Sequence, residues 1–181
     1  MKGIKIFSLA VLLPLLFAAC QVGNKKSVEI MLSSKLDEER GYCLDIAGGK
    51  GANAPLDKGL QAHTCYNYTG VILEDQGFDA ELISQGQFRI SYFDVCMSVP
   101  SISEGSAISL EQCNNSDTQK FVLKSNGQLA SQVDPKLCVT VNSIEKKEGR
   151  GGSPVHVMRP LSLELCTDAS KPYQTWLING L

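Results

Sequence analysis

The chain has 181 residues, with 17 Lys and Arg against 19 Asp and Glu and 43% hydrophobic residues, enough for one domain with its own core. A net charge of −2 without a basic run argues against nucleic acid or heparin as a partner. No long charged or low-complexity stretch leaves room for a disordered tail beyond a short tether.

The N-terminus begins Met1-Lys2-Gly3-Ile4-Lys5, two positive charges and no acid, and continues as an apolar run from Ile6 to Phe17 that ends in Ala18-Ala19-Cys20. This is the order of a secretory signal. Roughly 12 apolar residues in a helix cover about 18 Å, short of a ~30 Å hydrocarbon core, so the segment reads as a signal and not a span. Cys20 directly after two alanines makes the site resemble a lipobox, at which bacteria attach a diacylglycerol and cleave, although Phe17 stands where leucine usually opens that motif. The expectation is a signal peptide over 1–19, lipidation of Cys20 and a tether over 20–27. Gln21 is not the aspartate that retains such proteins at the inner membrane. The resemblance therefore implies an exported chain anchored in the outer membrane of a Gram-negative cell envelope. Cleavage removes two lysines and no acid, leaving the mature chain more acidic still.

Past the tether, three blocks share one order of features. The first runs Cys43-Leu44-Asp45-Ile46, then Leu60-Gln61-Ala62-His63-Thr64-Cys65, then Gln76-Gly77-Phe78. The second runs Cys96-Met97-Ser98-Val99, then Ser109-Leu110-Glu111-Gln112-Cys113, then Gln119-Lys120-Phe121. The third runs Cys138-Val139-Thr140-Val141, then Ser162-Leu163-Glu164-Leu165-Cys166, then Gln174-Thr175-Trp176. Gly86-Gln87-Phe88 also recurs as Gly127-Gln128-Leu129, again after about forty residues. The apolar runs, such as Phe88 to Tyr92, Phe121 to Leu123 and Leu137 to Val141, are too short for helices and are bounded by turn residues, so they predict strands. Insertions are expected at Tyr66 to Leu73 and at Glu145 to Val155, the latter an exposed loop through Gly149-Arg150-Gly151-Gly152-Ser153-Pro154.

Besides Cys20 there are six cysteines, an even set suited to disulfides in an exported chain, and their pairing is open from sequence alone. No Cys-x-x-Cys occurs, and His63 and His156 lie at no zinc-ligand spacing from a cysteine pair, so no metal and no cofactor is expected.

Threefold repetition at about forty residues, each unit closed by Gln-x-aromatic, resembles the ricin B-type lectins. The resemblance covers about residues 28 to 181 and implies an all-β fold, a β-trefoil of three disulfide-braced repeats at about 28–86, 87–127 and 128–181. It also implies bonds within each repeat, Cys43 to Cys65, Cys96 to Cys113 and Cys138 to Cys166. In that family a carboxylate two residues after the first cysteine accepts paired sugar hydroxyls, a ring two residues before the second cysteine stacks on the sugar, and an amide pair opens the Gln-x-Trp. Carried over, repeat one supplies Asp45, His63, Asp75 and Gln76 as carbohydrate-binding residues. Repeat two has Ser98 and Glu111 and repeat three Thr140 and Glu164 at the first two positions, so a single sugar site is expected, in repeat one. His63 there offers a smaller ring than Tyr or Trp, with a charge that can change near pH 6.5. Asp75 accepts hydrogen bonds where an amide would also donate. Tyr66 and Tyr68 are candidates for further ring contact. Asp45 also has a purely structural reading, as a turn residue bonding backbone amides toward Gly48-Gly49. Gln76, Gln119 and Gln174 are expected to hydrogen-bond structurally, with Phe78, Phe121 and Trp176 in the core.

No Gly-x-Ser-x-Gly, His-Glu-x-x-His or P-loop occurs; Asp45 with Asp75 could mimic a glycosidase pair, but the analogy of fold points to binding, so no enzyme is expected. The resemblance implies a lectin of the bacterial cell envelope with a glycan as partner and the membrane reached through the lipid on Cys20. A second reading is a cell-binding or accessory toxin subunit similar to those of the cytolethal distending toxins, working through protein contacts. A third is an envelope scaffold with degenerate sites.

Overall fold

The computed structural model describes residues 26–49, 51–66 and 70–180. The signal, Cys20 and most of the tether lie outside the described residues, as does Tyr68. Among the described residues no helix is long and apolar enough to cross a membrane.

The strands are β1 (Ser27–Leu32), β2 (Tyr42–Ile46), β3 (Leu60–Thr64), β4 (Phe78–Asp79), β5 (Arg89–Ile90), β6 (Val95–Ser98), β7 (Ser109–Gln112), β8 (Phe121–Leu123), β9 (Leu129–Ser131), β10 (Leu137–Val141), β11 (Lys147–Glu148), β12 (Val157–Leu165) and β13 (Trp176–Asn179). All pair antiparallel along β7-β6-β5-β4-β1-β2-β3-β12-β10-β9-β8, with β13 on β1 and β11 on β12. Among the described residues only single helical turns interrupt them, at Ala80–Ile83 and Lys171–Gln174, with short 3-10 turns at Leu56–Lys58 and Asp117–Gln119.

Three hairpins carry the threefold repetition: β2 with β3, β6 with β7, and β10 with β12. Disulfides Cys43–Cys65, Cys96–Cys113 and Cys138–Cys166 span them over 22, 17 and 28 residues. After each hairpin a turn presents a buried glutamine, whose amide clips the backbone on both sides of the second cysteine. Gln76 Nε2 donates to the Thr64 carbonyl at 3.1 Å while its Oε1 accepts from Tyr66 N at 3.1 Å. Gln119 does the same with Gln112 and Asn114 at 2.8 and 2.9 Å, and Gln174 with Leu165 and Thr167 at 2.9 and 3.3 Å. The aromatic two residues on then starts a strand and enters the core: Phe78, Phe121 and Trp176 are all buried.

The core is assembled from the inward faces of all three hairpins with Val28, Ile30 and Leu32 of β1. Burial separates the strands by pattern. β12 alternates buried and half-buried residues from Val157 to Glu164, the period-two signature of a one-sided strand. β2 and β10 are buried at every position. An acidic residue in β2 is therefore enclosed wherever it falls, and Asp45 is that residue. β12 also spans repeats: Leu161 to Leu165 pair with β10, while Met158, Arg159 and Pro160 pair with His63, Ala62 and Gln61 of β3.

Candidate functional site

In the β2–β3 hairpin Asp45 stands directly opposite Gln61, and His63 opposite Cys43. Asp45 is 1% exposed, and amide donors hold both its oxygens: Gln61 Nε2 reaches Oδ1 at 3.0 Å and Gln76 Nε2 reaches Oδ2 at 2.9 Å. Burial raises the Asp45 carboxyl well above the usual range, the Asp75 charge adds to this, and the two amide bonds oppose it. Gln76 also approaches His63 Nδ1 at 3.4 Å, and that nitrogen lies 2.8 Å from the Thr64 carbonyl. A carbonyl at this distance calls for the tautomer with its proton on Nδ1, which leaves Nε2 as the acceptor. Burial pushes the His63 imidazole down to about 4, against the pull of the Thr64 carbonyl.

Asp75 lies in the turn before Gln76. Its backbone carbonyl accepts from Ile46 N at 3.1 Å, at the end of β2, and its Oδ2 accepts from Gly51 N at 2.8 Å. Oδ1 is buried with no partner among the described residues, and burial raises the carboxyl. Asp75 thus ties the loop after β2 to the turn that carries Gln76.

The structure brings Asp45, His63 and Gln76 into one hydrogen-bonded cluster and sets Asp75 against its edge. Of these four, His63 lines the open cleft above the cluster, a cavity of about 350 Å³ walled by Gly48, Gly49, Gln61, His63, Tyr66, the Gly149–Gly151 segment, His156 and Met158. Three rings meet there. His63 and Tyr66 stack at 5.3 Å between centroids, and His156 meets both edge-on at 5.1 and 5.2 Å. Burial lowers the His156 imidazole as well.

His156 and Arg150 are residues that sequence reasoning missed as parts of this site. They come from the long insertion of repeat three, which folds back over repeat one. Gly149 N donates to the His156 carbonyl at 2.7 Å and His156 N to the Gly151 carbonyl at 2.9 Å. Arg40, paired with Glu38 at 2.7 Å, donates to the carbonyls of Pro154 and Val155 at 2.9 and 2.8 Å and pins the loop down. Gly152, at φ +89°, lies flat against the His156 ring: a Cβ there would sit 2.5 Å from Cδ2. The signal available in the sequence was the histidine itself, at the end of a glycine-rich loop of the right length to fold back.

Repeats two and three fill the equivalent positions differently. Ser98 faces Ser109 and bonds Thr118 at 3.4 Å, and Glu111 is exposed. Thr140 faces Ser162, donates to the Cys138 carbonyl at 2.8 Å and accepts from Gln174 Nε2 at 3.0 Å. A cavity of about 560 Å³ lies over repeat three, lined in part by Thr140, Ser162, Glu164, Glu104 and Tyr173. The one ring among its described lining residues is Tyr173, from the turn before Gln174, and the carboxylate of Glu164 stands where His63 stands in repeat one. Glu29 lies close to Cys43 and Cys65, but both sulfurs are spent in their disulfide, so the trio offers no thiolate to a metal.

A family model described as the ricin-type β-trefoil lectin domain matches residues 33–176. Among solved structures the chain is similar to an agglutinin from Abrus precatorius, with a TM-score of 0.55 and 16% identity over 86% of this chain and 48% of that one. It is similar to a non-toxic homologue of type II RIPs from Momordica charantia (bitter gourd), in complex with α-methyl-D-galactoside, with a TM-score of 0.56 and 17% identity over 84% and 47%. A third is the C-terminal domain of an earthworm lectin, a mutant in complex with 6'-sialyllactose, with a TM-score of 0.51 and 16% identity over 86% and 99%. The chain spans about half the length of the first two. At these identities the likeness is one of fold, the β-trefoil. A search among curated protein sequences found no match.

Proposed function

Because the chain belongs to the family of ricin-type β-trefoil lectin domains, we propose that it is a carbohydrate-binding protein with one sugar site, in repeat one. The observation that carries this reading is the cleft walled by His63, Tyr66 and His156 above the carboxylate of Asp45, in the one hairpin with an acid after its first cysteine. Sugar hydroxyls reach Asp45 when Gln61 Nε2 leaves Oδ1; the exchange gives up one amide–carboxylate bond and gains charge-assisted bonds from hydroxyls. Gln76 holds Oδ2 and fixes the carboxylate plane, His63 with Tyr66 gives the sugar ring a face, and Asp75 supports the turn that carries Gln76.

The lipobox-like Ala18-Ala19-Cys20 supports a lectin of the cell envelope, anchored through Cys20 in the outer membrane, with repeats at about 28–86, 87–127 and 128–181. Membership of a lectin family supports a binding role.

The test is a glycan array probed with the soluble chain lacking Cys20, beside Asp45→Ala. Binding of a defined glycan class that Asp45→Ala abolishes is expected. An array without a ligand, or an Asp45→Ala chain that binds as well as the parent, overturns the reading.

A further inference from the structure

The cleft is chemically one-sided. Among the described residues that wall it there is no carboxylate, in a chain with 19 acidic residues against 17 basic ones. Asp45 lies beneath its floor, behind Gln61, at 1% exposure. Arg150 also lines the cleft, exposed, with no ion pair or hydrogen bond to any described residue. The backbone N–H groups of Arg150 and Gly151 are likewise unengaged among the described residues, because the loop closes through Gly149 N and the Gly151 carbonyl on either side of them. Glu38, the acid of the neighbouring network, is held by Arg40 at 2.7 Å. A guanidinium with adjacent free amides is the donor set that reads a planar or tetrahedral anion.

We propose that this cleft selects glycans whose terminal sugar carries an acidic substituent, with ring hydroxyls toward Asp45 and the anion against Arg150 and the amides of Arg150 and Gly151. The proposal rests on the reading of the cleft as a sugar site and adds the substrate class. It assigns to the repeat-three insertion a role in repeat one's specificity: Arg40 and Gly152 hold the loop in place, and Arg150 at its tip meets the ligand.

The experiment compares, by calorimetry on the soluble chain, methyl α-D-galacturonide with methyl α-D-galactoside, two sugars alike except for a carboxylate in place of a hydroxymethyl group, together with methyl galactoside 6-sulfate. The galacturonide is expected to bind about tenfold more tightly at low salt, with the advantage shrinking in high salt because the pair is exposed. Arg150→Ala is expected to bring the ratio to about one, and Arg150→Lys to restore part of it. A sulfate ester that binds like the galacturonide supports recognition of charge, and one that does not supports recognition of carboxylate geometry. A galactoside that binds as tightly as the galacturonide overturns this inference and leaves the sugar site standing, as does a ratio that Arg150→Ala does not change. A chain that binds neither sugar and shows no ligand on the array overturns the sugar site and this inference together.

Discussion

The β2–β3 and β10–β12 hairpins are the same device with different occupants. Each is closed by a disulfide, each has its second cysteine clipped by a buried glutamine, and each sends an aromatic into the core two residues later. The amide of that glutamine has a donor to spare beyond the backbone. In repeat three it goes to the Thr140 hydroxyl, in repeat one to the Asp45 carboxylate. Opposite them stand Ser162 and Gln61, and beside the second cysteine stand Glu164 and His63. Three differences on one scaffold thus separate a hairpin whose glutamine meets a neutral hydroxyl from one whose glutamine holds a carboxylate under a ring-lined cleft. The glutamine is scaffold in both, and only in repeat one is it also part of a candidate site.

Removing the disulfides tests the equivalence with the largest expected effect. Replacing Cys43 and Cys65 by serine, or Cys138 and Cys166, should each cost about 3–4 kcal/mol in denaturant unfolding, because the closed loops of 22 and 28 residues are similar. Unequal losses would break the comparison. Next comes His63, which has no counterpart in repeat three. Its folded value of about 4 lies below the unfolded 6.5, so the folded state resists protonation, and stability present above pH 6.5 is lost as pH falls toward 4, on the order of 3 kcal/mol. His63→Gln should flatten that limb of the stability–pH curve, and the ring protons of His63 in NMR should titrate far below pH 6.

Gln76→Ala and Gln174→Ala should each cost about 2–3 kcal/mol, since each leaves a backbone donor and acceptor unpaired. The two should separate with pH. The loss at Gln174 stays constant, while that at Gln76 grows as pH rises and Asp45 ionises with one donor missing. The smallest effect is the gain from Asp45→Asn, within about 1 kcal/mol. The Asp45 carboxyl is raised on folding, so its contribution is favourable below the unfolded value of 3.8 and is lost as pH rises through the folded one. The Asp45→Asn chain should match the parent in acid and melt higher at neutral pH, with Gln61 turning its amide to accept. A neutral-pH melt no higher than the parent's would mean that Asp45 is better compensated than its two amides suggest.

The scaffold was legible in the sequence because each repeat writes the same three features at nearly constant spacing: two cysteines and a Gln-x-aromatic. The site was legible only in part. Asp45, His63 and Gln76 sit at fixed offsets from those markers, so local order finds them. The burial of Asp45 was not readable, since it depends on β2 being enclosed on both faces and on Gln61 lying opposite across the hairpin. His156 and Arg150 were not readable either. They reach repeat one because β12 is long enough to pair with β10 at one end and β3 at the other. That register between repeats has no local signature, and a glycine-rich insertion read alone is simply an exposed loop.

The central claim is that a glycan sits over repeat one and not over the larger cavity of repeat three. The direct measurement is backbone chemical-shift mapping on the isotope-labelled soluble chain as a glycan identified on the array is titrated in. Shifts confined to the segments around Asp45, Gln61 to Tyr66 and Gly149 to Met158 are predicted. Shifts centred on Thr140, Ser162, Glu164 and Tyr173, with repeat one silent, would contradict it.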